Sequence, residues 1–333
     1  MKRKVLIGIA LILSFSLAAS AWDVLGSAYI LERIKGGAAN AAGDELYGST
    51  APDFVNYMLG TPFYSFCYDQ THKDFMRVWH MSNNGNKGTD LQKVALGFVS
   101  HNGLWGSDYI AHVASLENPS QGYVITQAIF LEQVYAGAGV WAALQLEDAP
   151  YEMKLELCHN IVEYIIDVQV WIEDPALAGR VAAAAGARDA GFPALVTQAY
   201  SKLLADFSQT TVAPMSVGAA AAFIQGYEAA FQALEITYAT LYTSASNLTG
   251  LMTNLSYYLS GLANQLYQLQ TTPAGVEQIL WLAFQYLPNA INELKGTAEF
   301  VKGQMAAHHI VYGPKGIMSR VGEELAPQGR IKR

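Results

Sequence analysis

Apolar residues at helical spacing decide the class of fold before any other feature enters. Across 151–173, Leu155, Cys158, Val162, Ile165, Ile166 and Val170 return every three or four residues, which gives a helix one broad apolar side suited to burial. Residues 91–100 repeat the pattern just before His101. No stretch alternates with period two, and no tight hairpin signal is present. Turn-forming residues gather at 36–43, 83–89 and 117–122, the second of these (N-N-G-N-K-G-T) having the composition of a flexible loop. The expectation is an all-α, multi-helical bundle with additional C-terminal helices.

The composition changes after about residue 174. Residues 177–191 are rich in alanine and glycine. Between Lys202 and Lys295 there is no basic residue, and the only acidic ones are Asp206, Glu228, Glu235, Glu277 and Glu293. Such helices suit an ordinary bundle, a wall for an acyl chain, or a surface that meets lipid. No run among them is long and apolar enough to span a bilayer.

At the other end, Lys2, Arg3 and Lys4 precede an apolar run over 5–17 and small residues ending Ala19-Ser20-Ala21. That order reads as a secretory signal peptide with an A-x-A cleavage site, which would leave Trp22 first in an exported, periplasmic or secreted protein. No cysteine lies at the junction, so a lipoprotein anchor is not expected. The chain has 20 Lys and Arg against 28 Asp and Glu, a net of −8, and losing Lys2, Arg3 and Lys4 would take it to −11. Duplex nucleic acid is not expected as a partner, because it requires a basic footprint. A phosphate ester stays open as a substrate, since bound metal supplies local positive charge. In an oxidising compartment Cys67 and Cys158 are either a disulfide or two buried thiols.

Acidic and imidazole side chains have a pattern of their own between residues 53 and 163. Asp53 stands in A-P-D-F, His72 in Q-T-H-K, His159 and Glu163 in H-N-I-V-E, and His101, Asp108 and His112 in H-N-G-L-W-G-S-D-Y-I-A-H. Imidazole and carboxylate are the usual ligands of a catalytic zinc. His159 and Glu163, four apart on a helix, project from one face about 6 Å apart along the axis. Asp108 and His112 repeat that spacing. Asp167, one turn beyond Glu163, is placed to fix an imidazole tautomer.

His101 and Asp108 would lie about 10.5 Å apart along a straight helix. That is too far for two ligands each about 2 Å from one zinc. Either Asn102-Gly103 and Gly106 break the helix and close the gap, or the two residues serve different ions. His80 is an alternative ligand should its loop fold back. His308 and His309 read as surface residues, and Trp105, Trp141 and Trp171 as core.

Taken in order, Trp22, L-Y-G-S-T-A-P-D-F, the His72 region, A-L-G-F-V-S-H, D-Y-I-A-H and H-N-I-V-E resemble the zinc-dependent phospholipase C family. Its all-helical fold is shared by the single-strand-specific zinc nucleases. The similarity is motif-level and covers roughly residues 22–170. The resemblance implies a cluster of two or three zinc ions. One would be held by residues matching Asp53, His72, His101 and Asp108, and a second by those matching His112, His159 and Glu163. A third would take the amino group and carbonyl of Trp22, an early histidine and the carboxylate matching Asp108. Two positions depart from the family. No histidine precedes His72, which leaves Asp23 or Glu32 as stand-ins, and the usual H-x-x-x-D is stretched to H-x-x-x-x-x-x-D, with Trp105 where the carboxylate would fall.

The leading expectation is therefore an exported zinc-dependent phosphodiester hydrolase of phospholipase C type. Zinc-activated water would cleave a phospholipid head group or another phosphate ester, with Asp53 as general base and with peripheral contact to a membrane. Beside it stand a zinc nuclease or nucleotidase with an aromatic stacking pocket, and a non-catalytic binding or assembly protein. The chain divides into a signal peptide (1–21), a zinc-binding phospholipase C-like helical core (22–175), an uncharged Ala/Tyr-rich helical region packed on it (176–310) and a basic tail (311–333).

Overall fold

A computed structural model of the chain describes residues 22–83, 89–266 and 271–310. The expected signal peptide, the basic tail and most of the 83–89 loop lie outside them. The described residues form fifteen α-helices and one 3-10 helix, with no strand, so the fold is all-α as expected. The N-terminal half runs α1 (Asp23–Ile34), α2 (Gly43–Thr50), a 3-10 helix (Ala51–Met58), α3 (Tyr64–His72), α4 (Met76–Asn83), α5 (Asp90–His101), α6 (Ser107–His112), α7 (Tyr123–Gly137) and the short α8 (Val140–Ala143). It continues through α9 (Tyr151–Glu173), α10 (Leu177–Gly186), α11 (Phe192–Ser208), α12 (Val217–Thr243), α13 (Leu248–Leu266), α14 (Pro273–Tyr286) and α15 (Ile291–Ala307).

Helix α9 is the axis of the molecule. From Cys158 to Val170 nearly every side is buried, including the polar residues His159, Asn160, Glu163, Asp167 and Gln169. Burial all round is the mark of a helix enclosed by others, and α9 touches α1, α7, α14 and α15. Its buried polar groups mostly tie neighbours in place. Gln169 accepts from Ala290 N and donates to Pro288 O, which fixes the start of α15.

Asp167 departs from the sequence expectation. Its two oxygens accept from the Leu25 and Gly26 amides at 2.9 and 2.7 Å, so it anchors the first turn of α1 rather than an imidazole. The cause is local: amides in the first turn of a helix have no partner within it and seek an acceptor.

Helices α2 and α5 cross with their backbones almost touching. A Cβ on Gly48 would sit 2.1 Å from Val94 O, and one on Gly97 would sit 2.2 Å from Glu45 O. Glycine is required on both sides of that crossing. The C-terminal helices close over the same region: α12 packs on α10, α11 and the 3-10 helix, and one continuous apolar core includes residues from Trp22 to Ile310. Both cysteines are free and buried. No helix among the described residues is long and apolar enough to cross a membrane.

Candidate metal centre

Two groups of buried ligating side chains come together where α9, α6, α5, α3 and the 3-10 helix meet. The first is Asp53, His72 and His101, and the second is His112, His159 and Glu163; within each, the ligand atoms all lie within 4.8 Å of one another.

In the first group each imidazole has one nitrogen already committed. His101 Nδ1 lies 2.8 Å from Ser49 O. His72 Nδ1 lies 3.2 Å from Tyr68 O and 2.8 Å from Thr71 Oγ1. A carbonyl can only accept, so these contacts put the proton on Nδ1 and leave each Nε2 with a bare lone pair. Those nitrogens face the Asp53 carboxylate, His72 Nε2 at 3.4 Å from Oδ1 and His101 Nε2 at 3.2 Å from Oδ2. Neither contact has hydrogen-bond geometry: both Nε2 atoms and Asp53 Oδ2 are buried without a hydrogen-bond partner. Lone pairs facing one another at that distance are relieved by positive charge, from a proton on Nε2 or from a bound metal ion. Asp53 Oδ1 also accepts from Asn56 at 2.8 Å. Asp53 Oδ2 thus stays without a hydrogen-bond partner between the two imidazoles, a placement open to a metal ligand and to the expected base.

The second group is a closed triangle. His112 Nε2 and His159 Nε2 are 3.1 Å apart, and Glu163 Oε1 lies 3.1 Å from His159 and 3.4 Å from His112. Two ligands about 2.0 Å from a tetrahedral zinc are separated by about 3.3 Å. The three edges of this triangle match that length. Asp108 Oδ1 accepts from His112 Nδ1 at 2.8 Å, a carboxylate–histidine pair of the kind that orients a metal ligand.

Asp108 therefore sits with the second group. Its other oxygen accepts from Tyr68 at 3.4 Å, and the ring of Tyr68 stacks on His72 at 3.9 Å, so Asp108 and Tyr68 join the two groups. After His101 the helix does break, ending there and restarting at Ser107, while Asp108 pairs with the second group. Asn102 Oδ1 accepts from the amides of Leu104, Trp105 and Gly106, and Gly103 N donates to His72 O. A Cβ on Gly103 would come 2.8 Å from Asp108 Oδ2. Trp105 turns away from the centre and packs between Phe75 and His308.

The charges reinforce one another. Burial works against ionised Asp108, but His112, then His72 and His101, hold its carboxyl well below the usual range. Burial likewise opposes a charged His112, yet Asp108 and then Glu163 push it up to about 10. Asp53 is lowered and His101 raised, each by the other against the cost of burial. Tyr64, half-buried, is pushed up to about 12 by burial and then by Asp53, Glu156 and Asp108, so its hydroxyl lies within their field.

Trp22 is buried, and its indole Nε1 donates to Ser107 O, next to Asp108. Neither proposed stand-in for the early histidine is free. Glu32 receives two hydrogen bonds from Arg180, and Asp23 accepts from Tyr238 and Val24 N. His80 is exposed on α4 and belongs to neither group. Sequence reasoning missed Tyr68, although it stands one turn before His72 on the same helical face, and Ser49, whose contribution is a backbone carbonyl.

Compared with protein-family models, with curated proteins and with solved structures, the chain matches none. The likeness to zinc phospholipases rests on the residues themselves.

Proposed function

We propose that the two groups hold zinc and that the chain is an exported phosphodiester hydrolase of phospholipase C type. One observation carries the reading: His112, His159 and Glu163 form a triangle with edges of 3.1–3.4 Å, those of a face of a zinc tetrahedron, and beside it His72 and His101 each set Nε2 within 3.4 Å of an Asp53 oxygen. Two imidazoles and one carboxylate also suit ferrous iron. The order of motifs along the chain, which resembles the zinc phospholipases, favours zinc.

When bound, zinc would make a water molecule acidic enough to attack phosphorus at neutral pH and would neutralise charge on the phosphate. The chain's own residues prepare that chemistry. Ser49 O and Tyr68 O fix the first two imidazoles, Asp108 fixes His112, and the buried surroundings keep other water away. Three donors in each group leave room for substrate oxygen, as a catalytic site requires.

A second reading, a single-strand nuclease, is favoured by the partly exposed rings of Tyr64 and Tyr68, 6.0 Å apart beside the centre. Metal analysis of the purified protein, followed by turnover of a chromogenic phosphocholine ester and of single-stranded DNA, tests both. About two zinc ions per chain with ester hydrolysis supports the first reading, and DNA hydrolysis alone supports the second. No bound metal, or a loaded protein inert to both, overturns the enzyme.

A further inference from the structure

Helix α9 has a second functional side. Leu157, Ile161 and Tyr164 of α9 face Leu259 of α13 and Val276 and Leu280 of α14 across an open cavity of about 90 Å³. At about 100° per residue, these α9 positions lie roughly 140–200° round the helix from His159, away from the metal ligands. The walls are aliphatic and aromatic almost throughout, and no charged side chain lines them.

Two of the cavity's polar groups are left unsatisfied. Trp141 and Asn160 both line the cavity, both are more than nine-tenths buried, and the indole Nε1 and amide Nδ2 have no hydrogen-bond partner. An indole N–H can only donate, so whatever satisfies it must offer an acceptor. A water molecule could do so, but it would gain nothing from the apolar walls and needs two to four polar partners of its own. Lys154 Nζ, held by Glu147 O, lies 5.9 Å from the centre of the Trp141 ring and places positive charge near this end. The occupant therefore has an apolar body and an oxygen acceptor for these donors.

We propose that this cavity binds one aliphatic acyl chain, with its carbonyl oxygen accepting from Trp141 and the amide of Asn160. A free fatty acid and a fatty acyl ester share that chemistry. The site uses no metal ligand, and α13 and α14 contribute none, so it stands apart from the hydrolase reading.

The test is displacement of the fluorescent fatty acid cis-parinaric acid from the full chain, with and without chelator. Saturable binding that survives chelation is expected, whether or not the protein hydrolyses anything. Ala263→Trp, at a partly exposed wall position, should weaken the probe at least about tenfold with the melting temperature unchanged. Trp141→Phe keeps a ring and deletes the donor. It should weaken palmitic acid and methyl palmitate as competitors several-fold and leave hexadecane unaffected. Tighter competition by palmitic acid than by its methyl ester identifies the free acid near Lys154, and the reverse order identifies the ester. The proposal is overturned if the probe does not bind, or if folded Ala263→Trp binds it unchanged, which would place the lipid on the outer surface. It is also overturned if Trp141→Phe affects hexadecane as much as the two acyl compounds.

Discussion

His112 is prepared from both ends. Asp108 takes its Nδ1–H at 2.8 Å, while Nε2 faces His159 and Glu163. In the metal-free protein the two carboxylates hold it charged up to about 10, against an ordinary value of 6.5. A raised folded-state value means that this contribution to stability is complete below about 6.5 and is lost as pH rises through about 10. Zinc needs a bare Nε2, so at pH 7 it must displace that proton. Calorimetric zinc titration in buffers of different ionisation enthalpy should report at least about one proton released per chain. An enthalpy independent of buffer would show that His112 was already neutral. Asp53→Asn offers a second test, since it keeps the size and removes the charge facing His72 and His101. Zinc content should fall by about one ion while His112, His159 and Glu163 keep theirs. Full occupancy with a large loss of rate would instead assign Asp53 the role of general base. The four-residue pairs behind this centre were legible because a helix fixes their direction. The carbonyls of Ser49 and Tyr68 were not, since any residue type supplies one.

Single helices set these side chains in register, and the crossing of α2 with α5 does most. It brings Ser49 O to His101 and starts the 3-10 helix that carries Asp53. Gly97→Ala would drive a methyl into Glu45 O at 2.2 Å, and backbone cannot swing aside as a flexible side chain can. The expected loss is about 1–3 kcal/mol or more, together with weaker metal binding in the first group. Gly226→Ala, exposed in α12 with nothing within 4 Å of its Cβ, should instead be stabilising by about 0.5–1 kcal/mol. Urea unfolding of the two variants beside the parent checks both, and equal effects would mean that the helices slide apart easily. Periodicity revealed α9 and α5, because apolar residues returning every three or four positions line up on one side only when the chain is helical. It did not reveal the glycine contact, which depends on two distant positions, or the short 3-10 helix that has Pro52 in its first turn.

The uncharged composition of 202–295 separated the C-terminal helices from the motif-bearing half, yet the folded chain is joined across that boundary by its few acids. Glu228 on α12 receives hydrogen bonds from Tyr47 and Arg188, and Glu235 receives one from Thr50, three residues before Asp53. Tyr238 on the same helix donates to Asp23 at the start of α1. Burial raises Glu235 well above the usual carboxylate range, which fits a neutral acid lodged among packed helices. Sequence could identify these residues as rare but not name their partners, which lie 181, 185 and 215 positions away. A chain ending at residue 175 would therefore expose the apolar faces under α10–α12 and strand Tyr47, Thr50 and Asp23 beside open water. Such a chain should lack a cooperative thermal transition and bind zinc at least about tenfold more weakly than the full protein, even though it retains all eight candidate ligands. Circular dichroism melting and competitive zinc titration would measure this. A sharp melt with two tightly held ions would mean that residues 22–175 fold unaided, and that α12 only covers a centre already formed.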